Sequence, residues 1–189
     1  MDPSFNFILN SKHPLSKSCI EQGFTDFASV CHFVQQLPYG RNTNRSDFTS
    51  IIQENKGTCS TKHAFLKALA LENNAQRIKL CLGIYKMKES NTKGIGAVLT
   101  KYNLEYIPEA HTYLKHENNI CDFTRIEQSL LSFNNDLLIE EEILPHQIGE
   151  YKINVHRAFI KDWIVSENSP YSLNEIWTIR EACIAQLSI

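Results

Sequence analysis

The stretch Asn55-Lys56-Gly57-Thr58-Cys59-Ser60-Thr61-Lys62-His63-Ala64-Phe65-Leu66-Lys67-Ala68-Leu69-Ala70-Leu71 decides the fold. The Asn55-Lys56-Gly57 turn ends whatever precedes it, and a helix starts at once at Thr58-Cys59. Ala64, Phe65, Leu66, Ala68, Leu69 and Leu71 leave that helix apolar nearly all round, which predicts a central, buried helix. The period then changes: Arg77 to Met87 alternates polar and apolar residues at its start and reads as a strand.

Working outward, a helix is expected from about Phe24 to Leu37. Phe24, Phe27, Ala28, Val30, Cys31, Val34 and Leu37 line one face, and Pro38-Tyr39-Gly40 stops it. A short helix runs from Ser46 or Asp47 to about Glu54. Downstream, Glu89 to about Gly96 is a polar loop. His111 to Lys115 and Ile120 to Phe123 read as two short strands around an Asn118-Asn119 turn, and Asp136 to Ile143 as another strand. Helices at about Ile153 to Val165 and Leu173 to Leu187 close the chain, the last opened by a Ser172/Glu175 capping box. The order helices, strands, helices predicts an α+β class, with the buried helix on a small antiparallel sheet and helices flanking at both ends. No repeat, low-complexity tract or Pro/Gly/Ser-rich linker divides the chain, so residues 1–189 are expected to form a single domain.

Composition narrows the function classes. Of 189 residues, 42% are hydrophobic and 21% charged, which rules out global disorder. A net charge of −2 offers no electrostatic footprint for nucleic acid or an anionic membrane. The opening MDPSFNFILN has no basic start and no small-residue cleavage site, and no apolar run reaches the ~18 residues of a membrane span. Six cysteines stand at 19, 31, 59, 81, 121 and 183 with no C-x-x-C pair, so free thiols in a reducing, cytoplasmic compartment are expected.

Cys19, Cys31, Cys81 and Cys183 have apolar neighbours and Cys121 lies in a short strand, so these five read as core residues. Cys59 differs. It occupies the first turn of a helix, where unpaired N–H groups and the positive dipole end favour a thiolate. The same amides suit an oxyanion formed when that thiolate attacks a carbonyl. Gly57 is expected to let the backbone turn sharply and a substrate approach closely. A buried helix-start cysteine with no chemical role is the bland alternative. His111 and Asp122 supply a base and an orienting acid. About a turn centred between 118 and 119 they are not opposite one another, so a bulge or longer loop is needed to bring them together.

Gly57-Thr-Cys59-Ser, an apolar helix and a strand, then His111 in a strand and Asp122-Phe-Thr124, resembles the transglutaminase-like superfamily, over about Asn55 to Thr124. The resemblance implies a papain-like core with Cys59 as nucleophile, His111 as general acid/base and Asp122 as the orienting carboxylate. It implies a cysteine acyl-transfer enzyme acting on a peptide, amide or other acyl substrate, with hydrolysis expected over cross-linking in a chain this small. Related folds supply an upstream amide or indole to the oxyanion, for which Gln35 and Gln36 are the candidates and Gln36 the choice. Members often carry an aromatic residue directly after the His and a Trp shortly before the Asp. Here Thr112, with Tyr113 next, and Asn119-Ile120 stand instead, which leaves open a catalytically inactive binding or scaffold module.

Other residues have weaker readings. His63, four residues after Cys59, is expected to be a satisfied neighbour and Lys62 a solvated one. A Cys59/His63/His111/Cys121 zinc site has no compact ligand spacing behind it, and no metal or cofactor is expected. Glu109 either faces the same side as His111 or is an exposed charge. His13, His32, His116, His146 and His156 are assigned to the surface or to caps. Glu140-Glu141-Glu142 is read as a solvated strand edge or helix face, and Asn42-Thr-Asn44-Arg45 as a polar loop rimming the site.

Overall fold

The quoted stretch forms a helix over Cys59–Glu72, and Thr58, in extended backbone, caps it. The Thr58 hydroxyl accepts from the Thr61 amide, while the Thr58 amide donates to Thr61 Oγ1 at 3.0 Å. A computed structural model of the chain describes residues 5–10, 12–126 and 133–187. Among them the elements are α1 (Pro14–Glu21), α2 (Phe27–Gln36), α3 (Ser50–Glu54), α4 (Cys59–Glu72), β1 (Ile78–Met87), α5 (Gly96–Lys101), β2 (Ile107–His116), β3 (Asn119–Cys121), β4 (Leu137–Glu142), α6 (Glu150–Ser166) and α7 (Leu173–Gln186). The class is α+β, and the four strands form one antiparallel sheet in the order β3-β2-β1-β4.

Two compact units share the chain. One comprises Met1–Leu82, Thr112–Leu130 and Glu141–Gly149; the other comprises Gly83–His111, Leu131–Glu140 and Glu150–Ile189. Strands β1, β2 and β4 each run from one unit into the other, so the units interleave in sequence and no linker separates them.

In the first unit α4 is the axis. Phe65, Leu66 and Leu69 are fully buried, each contributing roughly 1.5–3 kcal/mol of apolar burial. Helices α1, α2 and α3 and a short 3-10 turn at Pro145–Ile148 pack around it. The burial extends to polar side chains: Ser60, Thr61, Lys62, His63 and Lys67 are all inside. The Lys67 ammonium donates to the Ile78 carbonyl at the start of β1. Helix α2 begins at Phe27 rather than Phe24, because the Asp26 side chain accepts from the Ser29 amide at 3.0 Å and sets the cap there.

The hairpin between β2 and β3 differs from its sequence reading. Its paired residues are Leu114 with Cys121, Lys115 with Ile120 and His116 with Asn119, so the corner is Glu117-Asn118 and not Asn118-Asn119. Glu117 takes the left-handed backbone, φ 55°, that the tight corner needs. Strand β2 also starts at Ile107, ahead of the expected His111. Pro108 masks this start, since it has no N–H for a ladder. Its carbonyl instead accepts from His156 Nε2 at 2.9 Å. Glu140 and Glu142 are exposed on β4, an edge strand, as expected of that acidic run, whereas Glu141 between them is half-buried.

The second unit packs α5 and α6 against α7. Ile84, Ile95, Leu99, Ile107, Ile160, Ile176 and Ile179 form its core. Helices α1 and α5 have no counterpart in the sequence reading. The first is eight residues long and the second six, too short for the hydrophobic period to show. The Ser172/Glu175 capping box forms as expected, with the Ser172 amide donating to Glu175 Oε2 at 2.8 Å.

Candidate functional site

Cys59 is the first residue of α4 and is buried, 8% exposed. Its setting is prepared by Gly57, though not by the sharp turn expected there. Gly57 does not adopt a left-handed conformation; a Cβ at that position would meet Lys62 Cγ at 3.0 Å, Ile51 Cγ2 at 3.1 Å and Thr61 Oγ1 at 3.1 Å. The glycine is needed for space. It also bonds through both backbone groups to the Pro38-Tyr39-Gly40 segment: the Gly57 amide donates to Pro38 O and the Gly40 amide to Gly57 O, each at 3.1 Å. That segment is thereby registered onto the approach to Cys59.

Asn42, from the loop assigned to the rim, is instead buried and structural. Its amide donates to Lys56 O at 3.0 Å, and its carbonyl oxygen accepts from Thr61 Oγ1 at 2.8 Å, which locks the α4 cap. Its hydrogen-bonding partners lie 14 and 19 residues away in sequence, so no local pattern announces it.

Asp122 lies just past β3, 5% exposed, in the same unit as Cys59. Its Oδ1 accepts from the Thr124 amide at 2.8 Å, an Asx turn, and lies 3.5 Å from His63 Nε2. The turn is held against α4 at two further points. The Phe123 amide donates to His63 Nε2 at 2.7 Å, and Lys62 Nζ donates to the Thr124 carbonyl at 2.7 Å.

His63 is a satisfied neighbour, as expected. Because Nε2 accepts from an amide, the proton sits on Nδ1, which donates to the Cys59 carbonyl at 2.8 Å. Both ring nitrogens therefore hold the backbone, and neither is presented as a base. Among the described residues, no group of three or more His, Cys, Asp or Glu side chains is arranged to hold a metal ion.

Lys62 is the largest correction in this region. It is not solvated but fully buried, 0% exposed, and its ammonium also donates to Leu37 O at 2.6 Å. Burial lowers its pKa to about 8, aided by Arg125 and opposed by the Asp122 and Cys59 charges.

His111 belongs to the second unit, where its ring lies edge-on to Phe133 at 4.9 Å and to Tyr85 at 6.3 Å. The next residue, Thr112, belongs to the first unit, and its hydroxyl is 3.3 Å from Ser60 Oγ, on the residue after Cys59. The corrected hairpin register also changes the strand arithmetic. Counted from the 117–118 corner, Asp122 falls level with Tyr113, which shares a strand parity with His111. A corner one residue later would have set Asp122 level with Lys115, so the offset along the strand shortens from four residues to two, and His111 and Asp122 are still not opposite one another.

Gln36 is exposed at the end of α2, its amide 2.7 Å from His32 Nε2; the Gln35 amide donates to Arg125 O at 3.2 Å. Glu109 is not an exposed charge. It is buried in the second unit in a two-point bond with Arg180, at 2.6 and 2.7 Å. Burial works against its charge, but the guanidinium outweighs it and holds the carboxyl below its usual range. His116 and His156, assigned to the surface, are both buried. His116 packs on Phe5 and His156 on Trp177, and burial lowers the His156 pKa.

All six cysteines are free thiols. Cys19, Cys31, Cys81 and Cys183 are buried as expected, whereas Cys121 is half-buried on a three-residue strand. Burial pushes Cys19 and Cys183 up to about 11 and Cys31 well above its ordinary value, so those three are protonated at neutral pH. No helix among the described residues is long and apolar enough to cross a membrane. No family model, curated protein or solved structure matches the chain.

Proposed function

We propose that the chain is a cysteine-dependent acyl-transfer enzyme with a papain-like, transglutaminase-like core, acting on a peptide, amide or related acyl substrate. In this reading the Cys59 thiolate adds to the acyl carbon, and the first-turn amides of α4 face the resulting oxyanion. Protonated His111 gives its proton to the leaving amine as the C–N bond breaks, leaving a thioester. Neutral His111 then takes a proton from water or a second amine as that nucleophile attacks, and the thiolate departs. Asp122 keeps the imidazole in the tautomer that both steps need.

The observation that carries the reading is that the Asp122 turn is tied to the helix that Cys59 begins. Cys59 is the first residue of α4, and the Asp122 turn is tied to the next turn of that helix through Lys62 and His63. The occupied nitrogens of His63 favour His111 over it as the acid/base. Iodoacetamide should label Cys59 stoichiometrically near pH 7, at least tenfold faster than an ordinary free cysteine. The His111→Ala variant should lose that advantage. A Cys59 no faster than free cysteine in the wild-type chain refutes the enzyme and leaves a binding or scaffold module.

A further inference from the structure

We propose that Lys62 is a positioning residue of this site: a buried cation that fixes the Asp122-Phe123-Thr124 turn against α4 and favours the thiolate of Cys59. The inference rests on the acyl-transfer reading for its use, though its physical content is separate. Lys62 stands three residues after Cys59, one helical turn on, so the two side chains leave neighbouring positions of one helix face. Its ammonium is fully buried yet meets no carboxylate within ion-pair distance among the described residues.

Two carbonyls ligate it instead, Leu37 O from the end of α2 and Thr124 O from the Asp122 turn. A cation solvated by neutral dipoles keeps its full charge, and in a dry interior that charge acts over several ångströms on whatever anions lie near. The charged or titratable groups acting on it are Arg125, which opposes its protonation, and Asp122 and Cys59, which favour it. Coupling is reciprocal: if the Cys59 thiolate favours protonated Lys62, then protonated Lys62 favours the thiolate.

The geometry also gives Lys62 a mechanical part. The Asp122 turn makes three bonds that set its orientation: Oδ1 with its own Thr124 amide, the Phe123 amide with His63, and the Thr124 carbonyl with Lys62. Two of the three run to adjacent residues of α4, so the turn is fixed relative to the helix that begins with Cys59.

The test is the pH profile of Cys59 alkylation by iodoacetamide, read by peptide mass spectrometry between pH 5 and 10, on the full chain. Lys62→Met keeps the length of the side chain and removes the charge; its thiolate population at pH 7 should fall about five- to tenfold, with the inflection moved up. An unchanged profile in folded Lys62→Met overturns the proposal. Should that variant not fold, the wild-type chain and Cys59→Ala carry the same test: the Lys62 titration, followed by NMR of carbon-13 labelled lysine, should move to lower pH when the thiolate is removed. No movement overturns the proposal equally.

His111→Ala keeps the two readings apart. A profile altered by Lys62→Met and untouched by His111→Ala sinks the triad and keeps the cation; the reverse pattern sinks the cation and keeps the triad.

Discussion

Each compact unit takes a cationic side chain largely out of water, Lys62 fully buried and Arg180 half-buried, and the two solve the cost of doing so differently. In the second unit Arg180 meets Glu109 in a two-point bond, so the charges cancel where they are made. In the first, Lys62 is held by the carbonyls of Leu37 and Thr124. A cancelled pair has no field to lend and serves as a fastener between β2 and α7. An uncancelled cation is dearer to bury, and that cost has a use only where something nearby benefits from positive charge. Cys59 and Asp122 are the nearby candidates.

The largest effect that tests this contrast is expected at Arg180. Arg180→Met strands a buried carboxylate, and urea unfolding at pH 7 should show a loss of about 3–5 kcal/mol. The sign with pH follows from Glu109, whose folded pKa lies below its ordinary 4.5. The wild-type pair contributes its stability above that ordinary value and loses it as pH falls through the lower folded value. The deficit of the variant should therefore shrink in acid. A loss under about 1 kcal/mol would mean that the pair is no fastener, and the contrast between the units would collapse.

Lys62 should act with the same sign but in an alkaline window. Its folded pKa of about 8 lies below the ordinary 10.5. Below pH 8 both folded and unfolded chains carry the proton. Between 8 and 10.5 the unfolded chain binds more protons, so wild-type stability should rise with pH, by about 3 kcal/mol at full titration. Lys62→Met should lack that rise. Unfolding curves at pH 7, 8.5 and 10 on both chains check it, and a wild type flat across that window would place Lys62 in a wetter site than its burial implies.

The sequence made the α4 helix legible because its burial is written in an unbroken apolar composition, and Cys59 because a helix start announces itself through Gly57 and Thr58. It made Lys62 illegible for the same reason that it made α4 legible. A lysine inside an apolar helix is ordinarily its solvent face, and only the two distant carbonyls, 25 and 62 residues away in sequence, say otherwise. Asn42 and Glu109 were hidden likewise, by partners 19 and 71 residues away. The hairpin corner was missed by one residue because Asn118-Asn119 is the stronger turn pair by type, while the chain spends a left-handed conformation on Glu117. Moving the corner by one residue moves each cross-strand partner by two and keeps its face, so the corrected corner shortens the offset between His111 and Asp122 without removing it.

The smallest effect probes whether every polar group around Lys62 is satisfied as Lys62 itself is. Thr124 gives its carbonyl to Lys62 and its amide to Asp122, yet its hydroxyl oxygen is buried with no hydrogen-bond partner. A buried hydroxyl that has left water without a replacement bond costs about 1–3 kcal/mol, and a methyl of the same shape does not carry that cost. Thr124→Val should then leave both backbone bonds in place and raise stability by up to about 1 kcal/mol, read as an upward shift in Tm of a few degrees. It should leave the alkylation profile of Cys59 unmoved, since the Lys62 ligand is the carbonyl and not the side chain. Destabilisation by Thr124→Val would show that the hydroxyl is bonded when the protein is in water. The Asp122 turn would then be held by a side chain as well as by the backbone, and the first unit would depend less on its lysine than the comparison with Arg180 requires.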